Sequence, residues 1–124
     1  MNVFVLSFGF KFGIPLDLDL LFDVRFLDNP NYDPDLQSMT GNDAAVGAFL
    51  ERDPALGPFL DHLFPLVDFL LPQYARRGRE RLTIGLGCTG GRHRSVYVAR
   101  RVAAHLRDDP RWSVTYAARD VELV

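Results

Sequence analysis

The sequence is poor in cysteine: Cys88 stands alone among 124 residues, so no disulfide forms within the chain and nothing calls for an oxidising compartment. Histidine is scarce too, and His62, His93 and His105 share no metal-ligand spacing with one another or with Cys88. Neither a metal nor an organic cofactor is therefore expected. Charge of one sign is also lacking. Fourteen Lys and Arg against sixteen Asp and Glu leave a net charge of -2, which gives no chain-wide attraction to nucleic acid. No apolar run approaches the roughly 20 residues that span a bilayer. The apolar start, Met1 to Phe8, has no positive leader and is broken at Lys11 and Asp17, unlike a secretory signal. A cytoplasmic setting without membrane attachment is the expectation.

What is present is ordinary globular material, 48% apolar and 24% charged, with ten Phe as large packing units. The length suits one domain with its own core, spanning residues 1–124. Val3 to Phe8 predicts a buried strand that runs into the Gly-flanked turn at Gly9 to Gly13. Pro15 to Leu20 fits either a strand or a helical turn. Leu21 to Phe26 predicts a second strand, and the Asn-, Asp-, Pro- and Gly-rich stretch from Asp28 to Gly41 a loop.

Asn42 or Asp43 can cap a short helix through Leu50, and Asp53-Pro54 can start another. Leu60, Leu63, Val67, Leu70, Leu71 and Tyr74 recur at helical spacing; Pro65 should kink or split this segment, and Gly78 should end it. Leu82 to Gly87 is the clearest strand, followed after a loop by a helix from about Ser95 to Arg107. Trp112, Val114 and Tyr116 then alternate like an edge strand. Strand, loop, helix and strand from Leu82 to Tyr116 make one βαβ crossover, which requires parallel, right-handed pairing. The fold class expected is α/β, a small, mainly parallel sheet of about four strands flanked by helices.

The chemistry concentrates in Cys88-Thr89-Gly90-Gly91-Arg92-His93-Arg94-Ser95, which lies at the carboxyl end of a strand and the amino end of a helix. The first helical turn offers unpaired N–H groups and partial positive charge. Gly90 and Gly91 let backbone amides approach an anion, Thr89 and Ser95 add hydroxyls, and Arg92 and Arg94 supply planar multiple donors suited to phosphate. His93 is either a further donor or a turn residue. Together these predict an anion cradle.

Two readings of that cradle compete. The run satisfies C-x5-R-[ST], the loop of cysteine-dependent phosphatases, in which Cys88 would attack phosphorus and Arg94 would hold its oxygens. Such chemistry also needs a general acid, for which Asp28, Asp33 and Asp35 are the candidates, although turn formation accounts for all three. No acid–base pair is evident from the sequence, which favours binding over catalysis.

The other reading is a resemblance. Ser7-Phe-Gly-Phe-Lys-Phe-Gly-Ile-Pro15, Phe22-Asp-Val-Arg-Phe-Leu-Asp-Asn-Pro30, Thr40-Gly41 and Gly87-Cys-Thr-Gly-Gly-Arg-His-Arg-Ser-Val96 occur in one order. In that order they resemble the C-terminal domain of the RapZ (YvcJ-like) family, over nearly the whole chain. The resemblance implies a phosphosugar-sensing domain with glucosamine-6-phosphate as ligand, and an adapter role that guides a ribonuclease to small RNA. It implies ligand contacts from Thr89, Gly90 and Arg94, with Lys11 and Arg25 in the same pocket. A protein or RNA adapter without a small ligand is the third reading, and self-association is compatible with all three.

The chain departs from that family at three points. It contains no G-x-x-x-x-G-K-[ST], so nucleotide hydrolysis does not carry over. Its tail, Ala117 to Val124, is not basic, which weakens RNA binding. Asn31 stands where the family is expected to carry a ligand-binding His, which bears on sugar preference. Asp23 and Arg25, two apart in a predicted strand, are expected to share a face and form a partly buried pair.

Overall fold

The computed structural model describes residues 1–121; Glu122, Leu123 and Val124, the end of the non-basic tail, lie outside the described residues. Four strands, β1 (Asn2–Gly9), β2 (Leu20–Asp23), β3 (Arg81–Cys88) and β4 (Ser113–Ala118), form one sheet in the order β2-β3-β1-β4. Every neighbouring pair is parallel. Helices α1 (Ala44–Glu51) and α2 (Leu56–Arg76) connect β2 to β3, and α3 (Arg94–Arg107) connects β3 to β4.

The crossover from β3 to β4 is parallel as expected, but the two strands do not pair: β1 lies between them. Burial explains the arrangement. Val3, Val5 and Phe8 of β1 and Leu82, Ile84 and Leu86 of β3 are at most 1% exposed. Strands this apolar sit in the middle of a parallel sheet covered on both faces. β4 alternates exposed and half-buried residues at one edge, as its sequence predicts.

Three local expectations are corrected. Pro15 to Leu18 forms neither strand nor helix but a connection with a turn at Leu16-Asp17, where Asp17 has φ 66°. The second strand stops at Asp23. The Val24 N–H still reaches the Gly87 carbonyl, and the chain then turns through a Leu27 N–H bond to the Val24 carbonyl. Helix α2 runs through Pro65 and Pro72 without a break, because Leu56, Leu60, Leu63, Val67 and Leu71 bury one stripe along its whole length. Gly78 follows its end at φ 86°, and the Arg79 N–H caps the Tyr74 carbonyl. No single helix among the described residues is long and apolar enough to cross a membrane.

All four strands end at one edge of the sheet, which places the segments after Gly9, Asp23, Cys88 and Ala118 side by side. The chain leaves the central strands in opposite directions, β1 toward β2 and β3 toward β4. This is the switch point at which open parallel sheets form a crevice.

Candidate anion-binding site

Above that crevice lies a cavity of about 210 Å³, lined by Lys11, Asn29, Asn31, Gln37, Cys88, Thr89, Gly90, Arg92, His93 and Arg94. It is smaller than the roughly 300–1,000 Å³ of a drug-sized site, which limits its occupant to a small molecule. Lys11, Arg92 and Arg94 are cations, and no carboxylate lines the cavity among the described residues.

The loop after β3 forms most of the wall. Its amides are available: the N–H groups of Gly90, Arg92, His93 and Arg94 find no acceptor among the described residues. Gly91 takes φ 73° and sits so close to β1 that a Cβ there would lie 2.5 Å from the Gly9 nitrogen. The Lys11 N–H donates to the Thr89 carbonyl at 3.2 Å, tying the turn after β1 to the loop after β3. Gly41 closes the far side, where a Cβ would meet the His93 carbonyl oxygen at 2.5 Å and its own N–H donates to the Arg92 carbonyl.

Arg94 opens α3 yet is only 5% exposed. Its Nη1 donates to the carbonyls of Arg25 at 2.9 Å and Leu27 at 3.1 Å, and its Nη2 lies 3.5 Å from Oγ1 of Thr89. Its Nε is buried without a partner, and no carboxylate pairs with it among the described residues. Arg92 reaches the carbonyls of Ser38 at 3.2 Å and of Met39 and Val121 at 3.5 Å, contacts long enough to exchange for an anion.

Cys88 is buried beneath the loop, its thiol donating to Oγ of Ser95 and its sulfur accepting the Ser95 N–H. Ser95 and Gly91 lie behind the wall and do not line the cavity. The ring of His93 is 6% exposed and 3.1 Å from the Leu36 carbonyl. Burial, with Arg92 and Arg94 nearby, pushes its pKa down, so the ring is neutral and serves as a strut to the preceding loop. Asn31 lines the cavity, its backbone N–H held by Asn29 Oδ1.

Arg25 does not reach the cavity. It forms the expected pair with Asp23, with Nη2 to Oδ2 at 2.6 Å, and stacks 4.0 Å above the Phe10 ring. The pair is exposed (48% and 42%) rather than partly buried as expected, because Arg25 follows the strand instead of lying within it. Asp33 caps a turn through the Asp35 N–H, and none of Asp28, Asp33 and Asp35 lines the cavity. Sequence reasoning missed Asn29, which lies within the block Phe22 to Pro30 but is not singled out by it, and Gln37, whose loop position carries no periodic or motif signal.

The match to known families follows this geometry. The model of the RapZ C-terminal domain fits residues 1–122. The chain belongs to that family. A nucleotide-binding protein of Limosilactobacillus fermentum is 51% identical over 118 residues, covering 95% of this chain and 40% of that protein. One of Rhodospirillum centenum is 54% identical over 108 residues, covering 87% and 32%. One of Heliobacterium modesticaldum is 44% identical over 122 residues, covering 98% and 40%. The chain thus spans well under half the length of these relatives. Its RapZ C-terminal fold includes the whole crevice described above.

Proposed function

We propose that this domain binds and senses a small phosphorylated molecule, with an amino-sugar phosphate such as glucosamine-6-phosphate as the first candidate. One observation carries the reading: the buried Arg94 guanidinium has only neutral partners and an unpartnered Nε. A buried charge costs several kcal/mol unless it is compensated, and a phosphoryl group at this position would compensate it. Lys11, Arg92 and the unpaired loop amides support the same occupant. The sugar is the finer part of the proposal and rests on membership of the RapZ C-terminal family.

Binding is favoured over phosphoryl transfer. The Cys88 thiol is committed to Ser95, and no carboxylate lines the cavity among the described residues to protonate a leaving group. In the full setting the domain would report ligand occupancy to a protein partner such as a ribonuclease, the adapter role of the family. The relatives' name, nucleotide-binding protein, makes nucleotides the competing ligand class.

The test is thermal-shift screening with inorganic phosphate, glucosamine-6-phosphate, hexose phosphates and nucleotides. Ligand at a hundred times its Kd should add about 2.7 kcal/mol, a rise on the order of 10 °C for a domain this size. A sugar phosphate that outperforms phosphate supports the reading, and no shift with any anion refutes it.

A further inference from the structure

Just past β4, Arg119 and Asp120 form an ion pair to which neither the fold nor the loop motif assigns a role. Asp120 is 1% exposed. Its Oδ2 accepts the Gly9 N–H at 2.8 Å, and Arg119 donates through Nε and Nη2 at 2.8 and 2.7 Å. Burial alone would push the Asp120 carboxyl up; the guanidinium and the Gly9 N–H outweigh it and hold the group ionised.

The positions of these contacts give the pair its significance. Gly9 begins the turn that carries Lys11, and the Gly13 carbonyl, at the turn's end, accepts from Arg119 Nη2 at 2.6 Å. One ion pair therefore holds both ends of the Lys11 turn. It also backs the anion loop: a Cβ on Gly91 would meet the Asp120 Cβ at 3.0 Å, and one on Gly9 would meet the Gly90 carbonyl carbon at 2.5 Å. The Arg119 N–H bonds to the Ser7 carbonyl, which continues the β4–β1 ladder and fixes the pair in register.

We propose that Arg119 and Asp120 are positioning residues for the anion site, setting the distance between Lys11 and the Gly90 amide without touching the ligand. This rests on the anion-binding reading above. The arrangement is specific to such a role: a simple edge-strand anchor would need only the Arg119 backbone bond, whereas here a desolvated carboxylate is spent on the first amide of a ligand-bearing turn.

The experiment is a titration of the whole chain with inorganic phosphate, followed by calorimetry, for wild type, Asp120→Ala, Asp120→Asn and Val114→Ala. Asp120→Ala should weaken phosphate by about tenfold or more, since small displacements of site groups are costly. Asp120→Asn keeps an acceptor for the Gly9 N–H and should recover part of that loss. Val114→Ala, on β4 ahead of the pair, should lower the melting temperature but leave affinity at the wild-type value. Equal affinity in wild type and Asp120→Ala, or a loss in Val114→Ala that tracks its stability, overturns the positioning role alone. Absence of phosphate binding by the wild type overturns the binding reading and this role with it.

Discussion

The thiol of Cys88 lies 3.1 Å from Oγ of Ser95 and its sulfur 3.4 Å from the Ser95 N–H, so the two ends of the anion loop close on each other. This contact makes Cys88 a structural clasp. Cys88→Ser should cost about 1 kcal/mol in urea unfolding and leave phosphate affinity within about threefold of wild type. The wild-type chain should release no phosphate from p-nitrophenyl phosphate; release abolished by Cys88→Ser would establish the phosphatase alternative instead.

Arg94 is the residue whose fork geometry the site uses. Arg94→Lys keeps the charge but cannot hold the Arg25 and Leu27 carbonyls while facing an anion. Affinity should fall by about tenfold or more on calorimetric titration, at a stability loss of about 1–3 kcal/mol from the freed carbonyls.

The paired glycines should separate cleanly. Gly91→Ala forces a side chain onto a left-handed backbone at 2.5 Å from the Gly9 nitrogen and should cost at least about 3 kcal/mol in denaturant unfolding. A Cβ on Gly90 meets nothing within 4 Å, so Gly90→Ala should change stability by no more than about 0.5 kcal/mol. Gly90 lines the cavity, so a side chain there should lower ligand affinity while the variant remains folded.

Much of this was legible in the sequence because it is local. β1 and β3 announce themselves as apolar runs, α3 by its spacing, and the loop by eight consecutive residues of suggestive chemistry. The parts that were not legible depend on partners distant in the chain. Nothing near Arg94 says that it reaches Arg25 and Leu27, 69 and 67 residues earlier, or that Arg25 itself turns away to Asp23. Asp120 reads as an unremarkable tail residue until its bond to Gly9, 111 residues away, is seen. Likewise α2 continues through two prolines because tertiary burial of its stripe overrides local propensity.

His93 gives the fold an acid-sensitive strut. Its pKa is pushed below the ordinary 6.5 by burial, so below that value the unfolded chain takes up a proton that the folded ring resists. Stability should be full above about pH 6.5 and fall as the pH drops below it. His93→Gln, which can still donate to the Leu36 carbonyl, should flatten that limb. Urea midpoints at pH 7.5 and 5.5 for the two proteins measure the difference.

The most direct test of the central claim is a titration of the 15N-labelled chain with inorganic phosphate and with glucosamine-6-phosphate, following backbone amide resonances. The account predicts the largest shifts at Thr89 to Arg94 and at Lys11, with saturation at lower concentrations of the sugar phosphate. Shifts confined to other surfaces, or no saturable shift in the loop after β3, would contradict it.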